Sequence, residues 1–128
     1  MTEPTLQDMV LAYFKGVDEQ DTEMIFTTLS DECLFTVETH GVKLIGRTAI
    51  TGMFDRLWAN HQWVRHDAFH FVGGEMGNDI AVRFQVTNKL HDGQLVHKSN
   101  CNFFTVRDGQ FSEVRVYMTG DNTLDAKN

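Results

Sequence analysis

Residues 95–106 read LVHKSNCNFFTV and lie between two Asp-Gly pairs, Asp92-Gly93 and Asp108-Gly109. Asp-Gly supplies the positive-φ residues that a tight reversal needs, so the stretch from Leu95 to Val106 is expected to be a long strand with a hairpin at each end. The same alternation continues outward on both sides. Ile80 to Asn88 alternates before the first reversal, and Phe111 to Thr119 alternates after the second. Further upstream, Trp63 to Val72 is rich in aromatic and β-branched residues, and Gly73, Gly74, Gly77 and Asn78 mark the turn that follows it. The second half of the chain therefore predicts four long antiparallel strands.

The first half changes period. Leu6, Met9, Val10, Tyr13, Phe14 and Val17 recur at the spacing that stacks apolar side chains on one helical face. Pro4 is tolerated in a first turn, and Thr2 or Thr5 is placed to cap it. Asp18 to Asp21 breaks the pattern, and Asp21 is the expected N-cap of a second, shorter helix with Met24, Ile25 and Leu29 inward and Ser30-Asp31 at its end. Cys33 to Thr39 alternates as a strand. Gly41 and Gly46 punctuate the chain before a third helix from Thr48 to near Asn60, with Ile50, Met53, Phe54, Leu57 and Trp58 on one face. Helices segregated from a run of antiparallel strands make an α+β domain, with the helices on one face of the sheet.

At 128 residues and 14.7 kDa the chain is long enough for one core and too short for two. Residues 1–120 are read as one domain and 121–128 as a polar tail. Eleven basic against eighteen acidic residues leave a net charge of −7, a sign that repels nucleic-acid backbones and anionic lipid, so neither is an expected partner. Cys33 and Cys101 are too few and too far apart for a zinc cage or a redox pair, and are read as free thiols. With no basic amino-terminal leader and no apolar run of membrane length, the expected location is the cytoplasm.

Four segments carry a resemblance: residues 12–21 (AYFKGVDEQD), Leu29-Ser30-Asp31-Glu32, Gly46-Arg47-Thr48-Ala49-Ile50, and residues 104–111 (FTVRDGQF). In this order and spacing they resemble the SnoaL-like branch of the nuclear transport factor two-like superfamily, over nearly the whole chain. The resemblance implies a cone, in which a curved antiparallel sheet wraps over three amino-terminal helices (a cystatin-like fold) and encloses a pocket. It also implies a homodimer across the outer face of the sheet. The superfamily holds ketosteroid isomerases, polyketide cyclases, scytalone-type dehydratases, epoxide hydrolases and members that only bind a partner, so the fold does not select the function.

Residue by residue, the resemblance places Tyr13 where similar ketosteroid isomerases carry an oxyanion-hole tyrosine, and Asn102 where they carry a protonated aspartic acid. A carboxamide donates the same hydrogen bond without an unusual pKa. The isomerase base falls on Val37, which cannot take a proton. Glu38 is one residue away and therefore on the opposite face, unless a bulge intervenes. His66, near the start of the strand after the third helix, resembles the dehydratase pattern and is the candidate acid/base. His66 and His70 share strand parity but stand about 13 Å apart, too far for one metal ion. No metal and no cofactor are expected.

Inward parity adds the walls. Asn102 implies Asn100 and Phe104 on its own strand, with Lys98 reaching the rim. Val82, Phe84 and Val86 are expected on the neighbouring strand, and Val114, Val116 and Met118 on the last. Val37 and Phe54 complete the lining, with Trp58 and Trp63 near the mouth. Arg83, Gln85, Thr87, Glu113, Arg115 and Tyr117 alternate with these and form the outer, dimer-forming face. Such a pocket predicts a hydrophobic ketone- or hydroxyl-bearing small molecule and a cofactor-independent isomerase, dehydratase or cyclase. The competing expectation is a homodimer that binds a ligand or a protein without chemistry.

Overall fold

The structure, a computed structural model, describes residues 5–73 and 77–124. Thr2, Pro4, Gly74 and residues 125–128, to which the sequence reading assigned a cap, a turn and a tail, lie outside them. Helix α1 spans Leu6–Asp18 and is capped by Thr5: its hydroxyl accepts the Asp8 amide at 3.1 Å, while the Asp8 carboxylate accepts the Thr5 amide at 3.1 Å. The stripe Val10, Tyr13, Phe14 and Val17 is buried, as the period predicts. Gly16 lies on the same face because α2 crosses there. A Cβ on it would stand 2.8 Å from Ile25 Cγ1.

Helix α2, Thr22–Thr28, begins at Asp21, whose carboxylate accepts the Met24 amide. It buries Ile25 and Phe26 and leaves Met24 half-exposed. It runs directly into strand β1, Leu29–Val37, four residues earlier than the alternation suggests, so Leu29 is a strand residue. Glu38–His40 form a single 3-10 turn, and Gly41 (φ 67°) reverses the chain into a short strand β2, Val42–Ile45. Between its two glycines this strand gave no separate signal. Helix α3, Arg47–Ala59, buries Ile50, Met53, Phe54 and Leu57.

Strands β3 (His61–Gly73), β4 (Asp79–Leu90), β5 (Leu95–Arg107) and β6 (Gln110–Tyr117) form the expected antiparallel run. The sheet order is β2-β1-β6-β5-β4-β3. The sheet is mixed rather than wholly antiparallel, because β6 returns beside β1 and pairs with it in parallel, Phe35 opposite Val114 and Val37 opposite Val116. With three helices and a curved, unclosed six-stranded sheet, the domain is an α+β cone.

One irregularity positions the site. The β3–β4 register shifts between Asp67 and His70, around Ala68 at φ 55°. Two residues oppose one there, so the inward face passes from Val64 and His66 to Phe69 and Phe71. The shared parity expected of His66 and His70 is corrected by this bulge: His70 is exposed, opposite Arg83.

Among the described residues no helix is long and apolar enough to cross a membrane. After β6 the chain runs on through Thr119–Leu124, where Leu124 packs against the core.

Candidate functional site

Tyr13 is 2% exposed and boxed by edge-to-face rings of Phe14, Phe104 and Phe54 at 4.9, 5.5 and 6.3 Å between centroids. Burial pushes its phenol well above the usual tyrosine pKa, and nearby Cys33 and Asp18 push the same way. Tyr13 therefore stays a neutral hydroxyl, able to donate.

His66 is packed against Phe14, with the ring planes 30° apart and the centroids 4.7 Å apart. Its Nδ1 lies 2.5 Å from Asp18 Oδ1, and its main-chain N–H donates to Asp18 Oδ2 at 3.0 Å. An ionised carboxylate only accepts, so Nδ1 carries the proton and Nε2 is the basic nitrogen of the neutral ring. The histidine side chain is 8% exposed and the aspartate 24%. Asp18 is a site residue that sequence reading missed. It closes α1, four residues after Phe14, and a carboxylate ending an apolar stripe was the available signal. Its partner is 48 residues away.

Three asparagines face inward from β4 and β5. Asn102 and Asn88 are 2% and 1% exposed, and the side-chain oxygen of each has no hydrogen-bond partner. The oxygen of Asn100 accepts the Thr119 amide at 3.3 Å.

Tyr13, His66, Asn102, Asn100 and Asn88 line one cavity. Its remaining walls are apolar, among them Phe14, Val17, Val64, Phe84, Val86 and Val116, and Thr123 and Leu124 close it. Its volume is about 20 Å³, room for roughly one water. The three residues expected to do chemistry thus meet at one surface, together with Phe84, Val86, Asn100 and Val116 from the expected lining.

The other expected lining residues lie elsewhere. Val37, Phe54, Phe104 and Met118 are buried but form no part of the cavity wall; Phe54 and Phe104 support the Tyr13 ring from behind. Trp58 stacks on Phe54 and donates its indole N–H to the Val17 carbonyl at 2.9 Å, tying α3 to the end of α1. Trp63 is adjacent to inward-facing Val64 and so on the other face of β3, beneath the Arg65 guanidinium at 5.0 Å. Glu38 is exposed and pairs with Arg115 at 3.2 Å. Among the described residues no three His, Cys, Asp or Glu side chains converge as a metal site would require.

A SnoaL-like domain model matches residues 10–114. The chain belongs to the SnoaL-like domain family. Solved structures share the cone of this SnoaL-like protein. A protein of Xanthomonas campestris pv. campestris, provisionally named a polyketide cyclase, is 21% identical, with 87% of each chain covered and a TM-score of 0.80. A second with the same provisional name, from Pseudomonas putida KT2440, is 18% identical over 94% of each chain, with a TM-score of 0.80. TerC, co-crystallised with polyporic acid, is 16% identical over 86% of this chain and 88% of its own, with a TM-score of 0.75. At these identities the likeness is one of fold. No curated protein sequence matches the chain.

Proposed function

We propose that this SnoaL-like protein binds a hydrophobic ketone- or hydroxyl-bearing small molecule and transforms it without a cofactor, by isomerisation, dehydration or cyclisation. The observation that carries the reading is the Asp18–His66 pair, which presents an imidazole of fixed tautomer to a cavity that also contains Tyr13 and Asn102. Nε2 of His66 removes a proton from the carbon next to a carbonyl, and Asp18 stabilises the imidazolium that forms. The Tyr13 hydroxyl and the Asn102 amide N–H donate to the enolate oxygen as its charge develops. The imidazolium then returns the proton, to another carbon in an isomerisation or to a departing hydroxyl in a dehydration. Turnover of enones and β-hydroxyketones by the intact chain, lost in both His66→Ala and Tyr13→Phe, is the test. Unchanged turnover in both variants overturns the assignment.

The second reading, binding without chemistry, is favoured by one residue. Val37 stands where similar isomerases place their base, and it is fully buried and apolar. A ligand that binds the chain and is recovered unaltered after long incubation supports this reading against the first.

The outer face is proposed to pair two copies of the chain. Phe103 and Tyr117 are 49% and 40% exposed and stack edge-to-face at 5.6 Å, an aromatic patch bordered by Arg83 and Arg115. Aromatic residues with an arginine rim are the composition of interface centres.

A further inference from the structure

Lys98, Asn100 and Asn102 follow one another at strand spacing on the inner face of β5, and all are buried. Lys98 is the unexpected member, a long cation that ordinarily snorkels to solvent. Here it is 5% exposed, and its ammonium donates to two main-chain carbonyls, those of Thr119 and Asp121. The same segment is pinned twice more: the Thr119 amide donates to Asn100 Oδ1, and the Thr119 hydroxyl accepts the Ser99 amide at 3.2 Å. Residues 119–124 are therefore a strap laid across the polar row of β5.

The strap separates two spaces. On one side Thr123 and Leu124 close the 20 Å³ cavity that contains Tyr13, His66 and Asn102. On the other side Thr119–Thr123 form one wall of an open cleft of about 510 Å³, whose other walls include Lys98, His61, His97 and Val96. Thr123 belongs to both. The inner cavity admits no ring-sized guest while the strap lies there, whereas the cleft is within the usual size range of small-molecule sites.

We propose that Lys98 is the recognition group for an acidic substituent, a carboxylate or an ionised enol or phenol, on the small molecule that this site takes. The inference rests on the small-molecule reading above and adds the charge class of the ligand and its route. An ammonium bonded only to neutral carbonyls gains a stronger, charge-assisted partner when an anion replaces them. Burial already pulls its pKa below the ordinary lysine range, while Asp121 opposes the shift, so the cation is under-compensated as it stands. The acid enters by the cleft, takes the ammonium from the Thr119 and Asp121 carbonyls, and frees the strap. Leu124 then leaves the wall and the apolar body of the ligand reaches Tyr13 and His66. Lys98 and Asn102 are four strand residues apart, about 13 Å, so the ligand is two or three rings long rather than one.

The test uses the full chain with biphenyl-4-carboxylate and its methyl ester, matched in shape and different in charge, followed by calorimetry and amide NMR. The carboxylate is expected to bind at least tenfold more tightly than the ester and to shift the amides of Thr119–Leu124. Lys98→Met should erase the preference, with the ester bound at least as tightly as before because the strap loses its anchor, and Lys98→Arg should retain the preference, which separates lost charge from a lost fold. Leu124→Ala should tighten both probes by loosening the strap. Equal affinity of the two probes for the unmodified chain overturns the role of Lys98 and leaves the small-molecule reading standing. Failure of both probes, with no shift at Tyr13 or His66, overturns both.

Discussion

His66 and Asp18 are joined twice, ring nitrogen to one carboxylate oxygen and main-chain N–H to the other. The second bond fixes the carboxylate, and the carboxylate then fixes the ring, so the imidazole is oriented before any ligand arrives. Asp18→Asn keeps the shape and removes the charge that stabilises the imidazolium. Turnover of a substrate found among the enones or hydroxyketones is expected to fall about 100- to 10,000-fold, the range of a positioned acid/base. Long-range ¹H–¹⁵N NMR reads the tautomer without a substrate: protonated Nδ1 in the unmodified chain, a mixture in Asp18→Asn. An unaltered tautomer together with unaltered turnover refutes the pairing as a functional one.

Asn102 supplies a prediction of opposite sign for stability and function. Its side-chain oxygen is buried and has no partner among the protein's own groups, so no hydrogen bond within the fold is lost when that oxygen is removed. Asn102→Leu, close in volume and apolar, is therefore expected to leave urea stability unchanged or raise it by about 1 kcal/mol while weakening ligand binding. A loss of stability comparable to an ordinary core truncation would show instead that the amide is structural. The same substitution at Asn88, whose oxygen is likewise unpartnered, should behave alike.

The contrast between these residues and Asp18 shows which part of the site is local in sequence. Tyr13 sits in a stripe of period 3.6, and Asn102 in an alternating strand between two Asp-Gly turns, so face and element follow from neighbours within a few positions. The Asp18–His66 contact joins residues 48 apart, and no periodicity encodes it. His70 was misplaced because a bulge at Ala68 inverts parity, and alanine carries no signal for the left-handed φ it adopts there. Strand β2 was missed for lack of length. The parallel β1–β6 pairing was missed because strand order follows from how the α3 crossover closes the sheet, which the alternation in β1 does not specify. Trp58 was read as a mouth residue, yet its indole N–H is taken up by the Val17 carbonyl, a bond that depends on how α3 crosses α1.

Alkaline pH should weaken the fold through Cys33 and Tyr13. Cys33 is fully buried and its pKa is pushed up to about 12, first by burial and then by Glu113. Its unfolded value is near 9. Between those values the folded chain holds a proton that the unfolded chain has lost, so stability is complete below pH 9 and falls as pH rises toward 12. Tyr13 acts in the same direction from a higher starting point. Urea melts at pH 8, 10 and 11 should show a steeper alkaline loss for the unmodified chain than for Cys33→Ala, after allowance for the constant cost of the missing sulfur. Parallel curves for the two would mean that the thiol ionises without unfolding.

Phe103 and Tyr117 provide the test of assembly. Both point away from the core on adjacent strands, Phe103 opposite Arg115 and Tyr117 opposite Cys101, and their rings touch while remaining 40% or more exposed. An exposed aromatic pair on the outer face of the sheet is stabilised by burial against a copy of itself, since a twofold axis through the patch brings like surface to like. Sedimentation of the intact chain is expected to give twice the 14.7 kDa of one copy. Phe103→Asp places a carboxylate on each side of that axis and should yield a monomer of unchanged circular dichroism, because the side chain contributes nothing to the core behind the sheet. A monomer before mutation overturns the dimer, and a dimer that survives mutation moves the interface off this face. The inner cavity is the discriminating control: its lining comes from α1, α3, the inward faces of β3–β6 and the strap, so ligand affinity should be the same in the Phe103→Asp monomer as in the dimer.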